Sequence, residues 1–131
     1  FKFVHKNKVF SYCVDTECTR MSRKDLDLDL PLYQGVDLML FDAQYSFLEA
    51  TERINWGHST APIGLDLALR ENIKRIYFVH HDPAASDTKI AKIEQQTQDY
   101  LMAMACAAQT KGEVPPKVEW GFAREGMVLQ V

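Results

Sequence analysis

Lys74-Arg75-Ile76-Tyr77-Phe78-Val79-His80-His81-Asp82-Pro83 decides the fold: a short, β-rich apolar run that ends in two imidazoles ahead of a proline. The same construction occurs twice more, where Val9–Val14 runs into Asp15-Thr16 and Val36–Phe41 runs into Asp42. When successive strands of an open α/β sheet finish in ligand-type side chains, those side chains collect along one rim, where such sheets build their sites. Between the second and third runs, Trp56-Gly57-His58-Ser59-Thr60 reads as a loop entering a helix. The pattern is that of an α/β protein with a hydrolytic metal site.

The rest of the chain fits around these runs. Phe1–Val4 and Lys8–Val14 flank His5-Lys6-Asn7, a hairpin signal with Asn at a turn position. Glu17–Leu32 is polar and then alternates as Asp25-Leu26-Asp27-Leu28-Asp29-Leu30. Repeated Asp disfavours a strand, so this stretch reads as a loop or short helix with solvated carboxylates, calcium binding being the alternative. Ser46 and Glu49 form a capping-box pair for a helix to Ile54. Ser59 or Thr60 caps a second helix to about Asn72, with Pro62 in its first turn. Ser86 or Asp87 caps a long helix to about Gln109, and Val118–Phe122 and Met127–Val131 close the chain as strands around Arg124-Glu125-Gly126. Strand–helix–strand units beside hairpins predict one mixed sheet with packed helices, spanning 1–131 as a single unit.

Composition removes several classes. The 131 residues make about one domain, and 47% hydrophobic with 25% charged content is ordinary for a globular protein. A net charge of −3 gives no general pull toward nucleic acid or an anionic membrane. No apolar run approaches the ~20 residues that span a bilayer. Cys13, Cys18 and Cys106 are odd in number and lack Cys-x-x-Cys spacing, so neither a disulfide framework nor a thiolate zinc site is indicated, and a reducing cytoplasm is the expected setting. Phe1-Lys2-Phe3-Val4 opens inside an apolar run, the start expected of a fragment or a processed chain.

Each chemical residue has a bland reading beside the functional one. Asp15 can bridge two divalent ions through its two oxygens, or simply bond its own turn. In an extended strand His80 and His81 point to opposite faces, so only one of them reaches a rim site. A neutral imidazole at a strand end is a natural zinc or manganese ligand, but one buried and one exposed His would serve structure equally. His58, preceding a helix N-terminus, can contact a phosphate or protonate a leaving group, with Asp42 orienting it; otherwise the two are a capped turn and its cap.

In this order the motifs are specific. The chain resembles the C-terminal half of the metallo-β-lactamase superfamily, in the branch that holds ribonuclease Z and related phosphodiesterases. Val14-Asp15-Thr16 matches that branch's strand ending in Asp-Thr, and Phe41-Asp42-Ala43 resembles its carboxylate-Ala strand end. Gly57-His58-Ser59-Thr60 matches its Gly-His-Ser-Thr loop, and Phe78-Val79-His80-His81-Asp82-Pro83 resembles its strand end before a proline. Ala123-Arg124-Glu125-Gly126-Met127 resembles its last hairpin.

The resemblance implies half of an αββα sandwich. It implies that Asp15 bridges two metal ions, that His80 ligates one of them, and that His58 is a proton donor held by Asp42. Zinc is the expected metal, with manganese or iron as alternatives. Phe41-Asp42-Ala43-Gln44 stands where ribonuclease Z has His-Glu-Ala-Thr, and His81-Asp82 where it has Phe-Ser, which favours a small phosphodiester over tRNA. The family's His-x-His-x-Asp-His cluster is not found; His5, His58, His80 and His81 are the only histidines. The expected partner is therefore an N-terminal half of the same domain or a second chain, with association of two copies as the alternative and no activity in isolation. Two rivals remain: a carboxylic ester, lactone or thioester hydrolase on the same metals, and a non-catalytic binding or scaffolding domain.

Overall fold

The computed structural model describes residues 1–18 and 22–131. Five strands form one mixed sheet in chain order: β1 (Lys2–His5), β2 (Lys8–Cys13), β3 (Leu38–Asp42), β4 (Arg75–Val79) and β5 (Glu119–Phe122). The hairpin pair β1–β2 is antiparallel, with Phe3 opposite Phe10. The pairs β2–β3, β3–β4 and β4–β5 are all parallel, so Cys13, Phe41, Phe78 and Phe122 line up across the sheet.

Parallel neighbours require crossovers, and the chain supplies them from short helices. Between β2 and β3 lie α1 (Arg23–Leu26), a 3-10 turn (Asp27–Asp29) and α2 (Leu30–Tyr33). The Asp-Leu alternation is thus helical, and Leu26 is the buried residue of α1, while Thr19, Arg20 and Met21 of the same stretch lie outside the described residues. Between β3 and β4 come α3 (Phe47–Glu52), opened by the Ser46/Glu49 capping box, and α4 (Ala61–Arg70), capped by Thr60, whose Oγ1 accepts from the Ile63 N–H. The long α5 (Asp87–Thr110) starts at Ser86 and connects β4 to β5.

Strand–crossover–strand connections are almost always right-handed, so parallel strands laid down in straight chain order put their crossings on one face. The core follows. Met39, Phe41, Ile76 and Phe78 share that face and are fully buried beneath α4 and its neighbours. Gly64 lets α4 approach closely, because a Cβ there would meet ring atoms of Phe41 and Phe78 at 2.7 Å each. The opposite face is different. Leu38 is buried there, but Phe3, Phe10, Tyr12, Leu40 and Tyr77, which share that face by register, all keep exposed surface.

One expected strand is missing. Residues 123–131 form no strand: a turn closed by the Met127 N–H on the Arg124 carbonyl passes through Gly126 at φ +80°. Beyond it Val128 lies open to solvent, and the tail is tied back through a hydrogen bond from the Arg75 guanidinium to the Gln130 carbonyl. The apolar residues of 127–131 looked strand-like, yet no strand pairs with them, so their burial is not available. Among the described residues no helix is long and apolar enough to cross a membrane.

Candidate metal centre

Three adjacent parallel strands deliver the site. Asp15 lies two residues past β2, Asp42 is the last residue of β3, and His80 follows β4 directly. His58 comes from the loop before α4, two residues ahead of the Thr60 cap. Each of the four offers a ligand-type atom, and these atoms lie within 4.8 Å of one another.

Asp42 organises the group. Its side chain is fully buried, and it accepts hydrogen bonds at both oxygens. Oδ1 takes the Ser59 N–H at 3.1 Å and the Gln44 N–H at 3.2 Å. Oδ2 takes the Asp15 N–H at 2.9 Å and lies 3.0 Å from Nδ1 of both His58 and His80. A carboxylate can only accept, so both imidazoles present Nδ1–H to Asp42, and the Nε2 of each is left outside that contact, the orientation common for a histidine held by a carboxylate behind a metal or a reacting group. The two rings sit 5.1 Å apart.

The Asp15 carboxylate stands in front of them. Its Oδ1 is 3.8 Å from His80 Nε2 and 3.9 Å from His58 Nδ1, and the side chain is 72% exposed. Donors bound at ~2.0–2.2 Å to one ion can be no more than ~4.4 Å apart. The His80 Nε2 and Asp15 Oδ1 pair therefore fits a shared divalent ion, and the donor set of imidazole and carboxylate suits zinc or manganese.

The backbone is strained where the ligands sit. Asp15 has φ +53° and His80 has φ +62°, both left-handed for residues that are not glycine. Such conformations cost ~1–3 kcal/mol and concentrate at functional sites. The turn at His80 also answers which imidazole faces the rim. β4 stops at Val79, so the strand alternation no longer applies, and His80 swings onto Asp42. His81 turns the other way and stacks face to face on Phe122, with ring centroids 5.1 Å apart. Burial pushes the His81 imidazole down, against its backbone hydrogen bond to Ala43. That is a packing histidine.

Around the cluster, Tyr45 packs edge-on against the His58 ring at 5.6 Å and is itself buried. The Gly57 N–H donates to Glu17. On the Asp15 side a cleft of about 440 Å³ is lined by Asp15, Glu17, Asp25, Asp29 and Asn55. Cys18 and Tyr33 pack nearby, and burial raises both the Cys13 and Cys18 thiols, which disfavours thiolate ligation. A larger cleft of about 740 Å³ is lined by His81, Phe122 and Arg124, where Arg124 is already paired with Glu94 and, among the described residues, no ligand-type cluster forms.

The structure thus brings together Asp15, Asp42, His58 and His80, and leaves His5 exposed on β1. Sequence reasoning paired Asp42 with His58 alone and missed its second bond to His80. It also passed over Arg53, which proves to meet the rings of Tyr45 and Trp56. No family model matches the chain, and no curated protein matches it.

Proposed function

We propose that this chain is the C-terminal half of a metallo-β-lactamase-type hydrolase that cleaves phosphodiesters at a dinuclear metal centre. The observation that carries the reading is the convergence of Asp15, His58 and His80 on the buried Asp42 at the ends of three parallel strands. Divalent ions, zinc first, would supply Lewis-acid activation of water and of the phosphoryl oxygens. Asp15 and His80 would hold them. His58, kept in place by Asp42, would give its proton to the leaving oxygen. A small phosphodiester is the substrate, and the cytoplasm the compartment.

Two features support a partner. Asp15 and His80 provide too few ligands for a pair of ions, so the His-rich ligands come from a complementary N-terminal half or a second chain. The sheet face carrying Phe3, Phe10, Tyr12, Leu40 and Tyr77 lies opposite the helices, where the second sheet of an αββα sandwich would pack.

The test uses a protein that carries this chain together with its His-rich complement. His58→Ala should keep its metal content and lose ~10²–10⁴-fold in turnover of a dialkyl phosphodiester, but far less with bis(p-nitrophenyl) phosphate, whose leaving group needs no proton. Equal losses on both substrates remove the proton-donor role. A protein that hydrolyses lactones or thioesters and leaves phosphodiesters untouched reassigns the substrate class.

A further inference from the structure

Arg53 closes α3 and meets two rings: its guanidinium carbon lies 4.8 Å from the Tyr45 ring centroid and 5.6 Å from that of Trp56. The turn is short and fixed, with the Trp56 N–H bonded to the Arg53 carbonyl at 3.2 Å. Among the described residues the guanidinium has no carboxylate or carbonyl partner. Stacking occupies the faces of a guanidinium and leaves its in-plane N–H fork free for an oxyanion. Tyr45 meets both Arg53 and His58, so the free fork stands one ring away from the metal cluster.

Charge sharpens the point. The cleft beside Asp15 is lined by the carboxylates of Asp15, Glu17, Asp25 and Asp29, so an anionic group of a ligand is better received on the Arg53 side. Trp56 is 66% exposed, an open indole beside the Arg53 guanidinium. We propose that Arg53 and Trp56 form a substrate subsite that takes an oxyanion carried on a planar ring, outside the metal cluster. The subsite deepens the hydrolase reading, because it names what the substrate carries away from the scissile bond, but it stands on Arg53 and Trp56 and requires no metal.

The experiment is a titration of the EDTA-treated chain with 1-naphthyl phosphate, 1-naphthoate and 1-naphthol, followed by the NMR shift of the Trp56 indole N–H. Both anions should bind about tenfold or more tighter than the naphthol, as expected for a charge-assisted hydrogen bond. The ratio between them distinguishes phosphate from carboxylate as the preferred group. Arg53→Ala should erase the preference for anions while naphthol binding persists, Arg53→Lys should keep a reduced preference, and Trp56→Ala should weaken all three ligands, read on ligand signals. Arg53→Ala should leave zinc binding as it is, so failure of the metal reading would appear in zinc titrations and not here. Absent binding of naphthyl phosphate, or an anion preference that survives Arg53→Ala, overturns the subsite.

Discussion

His58 and His80 share one acceptor: the Nδ1 of each lies 3.0 Å from the same oxygen, Oδ2 of the buried Asp42. One carboxylate therefore sets the orientation of both imidazoles, and ties the loop before α4 to the end of β4. Asp42 acts behind the cluster, as a positioning residue.

Asp42→Asn should weaken zinc binding ~10–100-fold, the usual cost of losing a carboxylate behind metal-bound histidines. The amide presents an NH₂ group to donors where the carboxylate accepted, so buried N–H groups go unpaired and stability should fall by ~1–3 kcal/mol. Isothermal titration with zinc and urea denaturation measure the two effects. Unchanged zinc affinity in a folded variant would show that Asp42 does not prepare the ligands.

Gly64→Ala should destabilise the fold by ~1–3 kcal/mol, because the added Cβ presses on the rings of Phe41 and Phe78, which are themselves fully buried. Both rings lie on strands that end in site residues, so zinc affinity should drop alongside stability. Urea midpoints report the first effect. A midpoint equal to that of the parent chain would mean that α4 is free to shift outward.

Acid should unfold the α3 region through Glu49. Burial works against its charge, but hydrogen bonds from Lys89 and Ser46 outweigh it and hold the carboxyl down at about 2. A depressed folded pKa gives stability that is present above the ordinary value of 4.5 and is lost as pH falls toward about 2. Glu49→Gln should remove ~1 kcal/mol at pH 7 and flatten the pH dependence in that window. Thermal melts of both chains across pH 2–7 decide it; parallel curves would deny Glu49 this role.

Much of this was legible in the sequence for physical reasons. Apolar runs ending at Asp15, Asp42 and His80 announced strands of one sheet with a common rim, and Ser46/Glu49 and the Ser59-Thr60 pair announced helix starts, because caps answer to local geometry; the structure puts the second cap at Thr60. Tertiary effects were not legible. Met127–Val131 has strand-like residues, but pairing depends on a neighbour that the chain does not provide there. The left-handed turn at His80 settled the choice between two adjacent histidines, and nothing in the residue types marks it. Arg53 carries no signal in the sequence, because only the fold brings the Tyr45 and Trp56 rings to its guanidinium.

The open sheet face predicts association. Phe3 and Tyr12 are exposed on that face and Phe10, Leu40 and Tyr77 half-buried, a run of apolar side chains of the kind that marks association sites. Light scattering of the isolated chain should show dimers or larger species, with no zinc-dependent hydrolysis of bis(p-nitrophenyl) phosphate. A stable monomer that turns over this ester with added zinc would end the half-site account.

The most direct measurement of the metal centre is a zinc titration followed by the Cε1–H NMR signals of the four histidines. His58 and His80, which share the cluster, should shift or broaden together at the lowest zinc concentrations. His81, stacked on Phe122, and His5, exposed on β1, should respond only at higher concentrations, and Asp15→Asn should move the first response toward them. Four histidines responding alike, or His5 responding first, would contradict a metal centre at the ends of β2, β3 and β4.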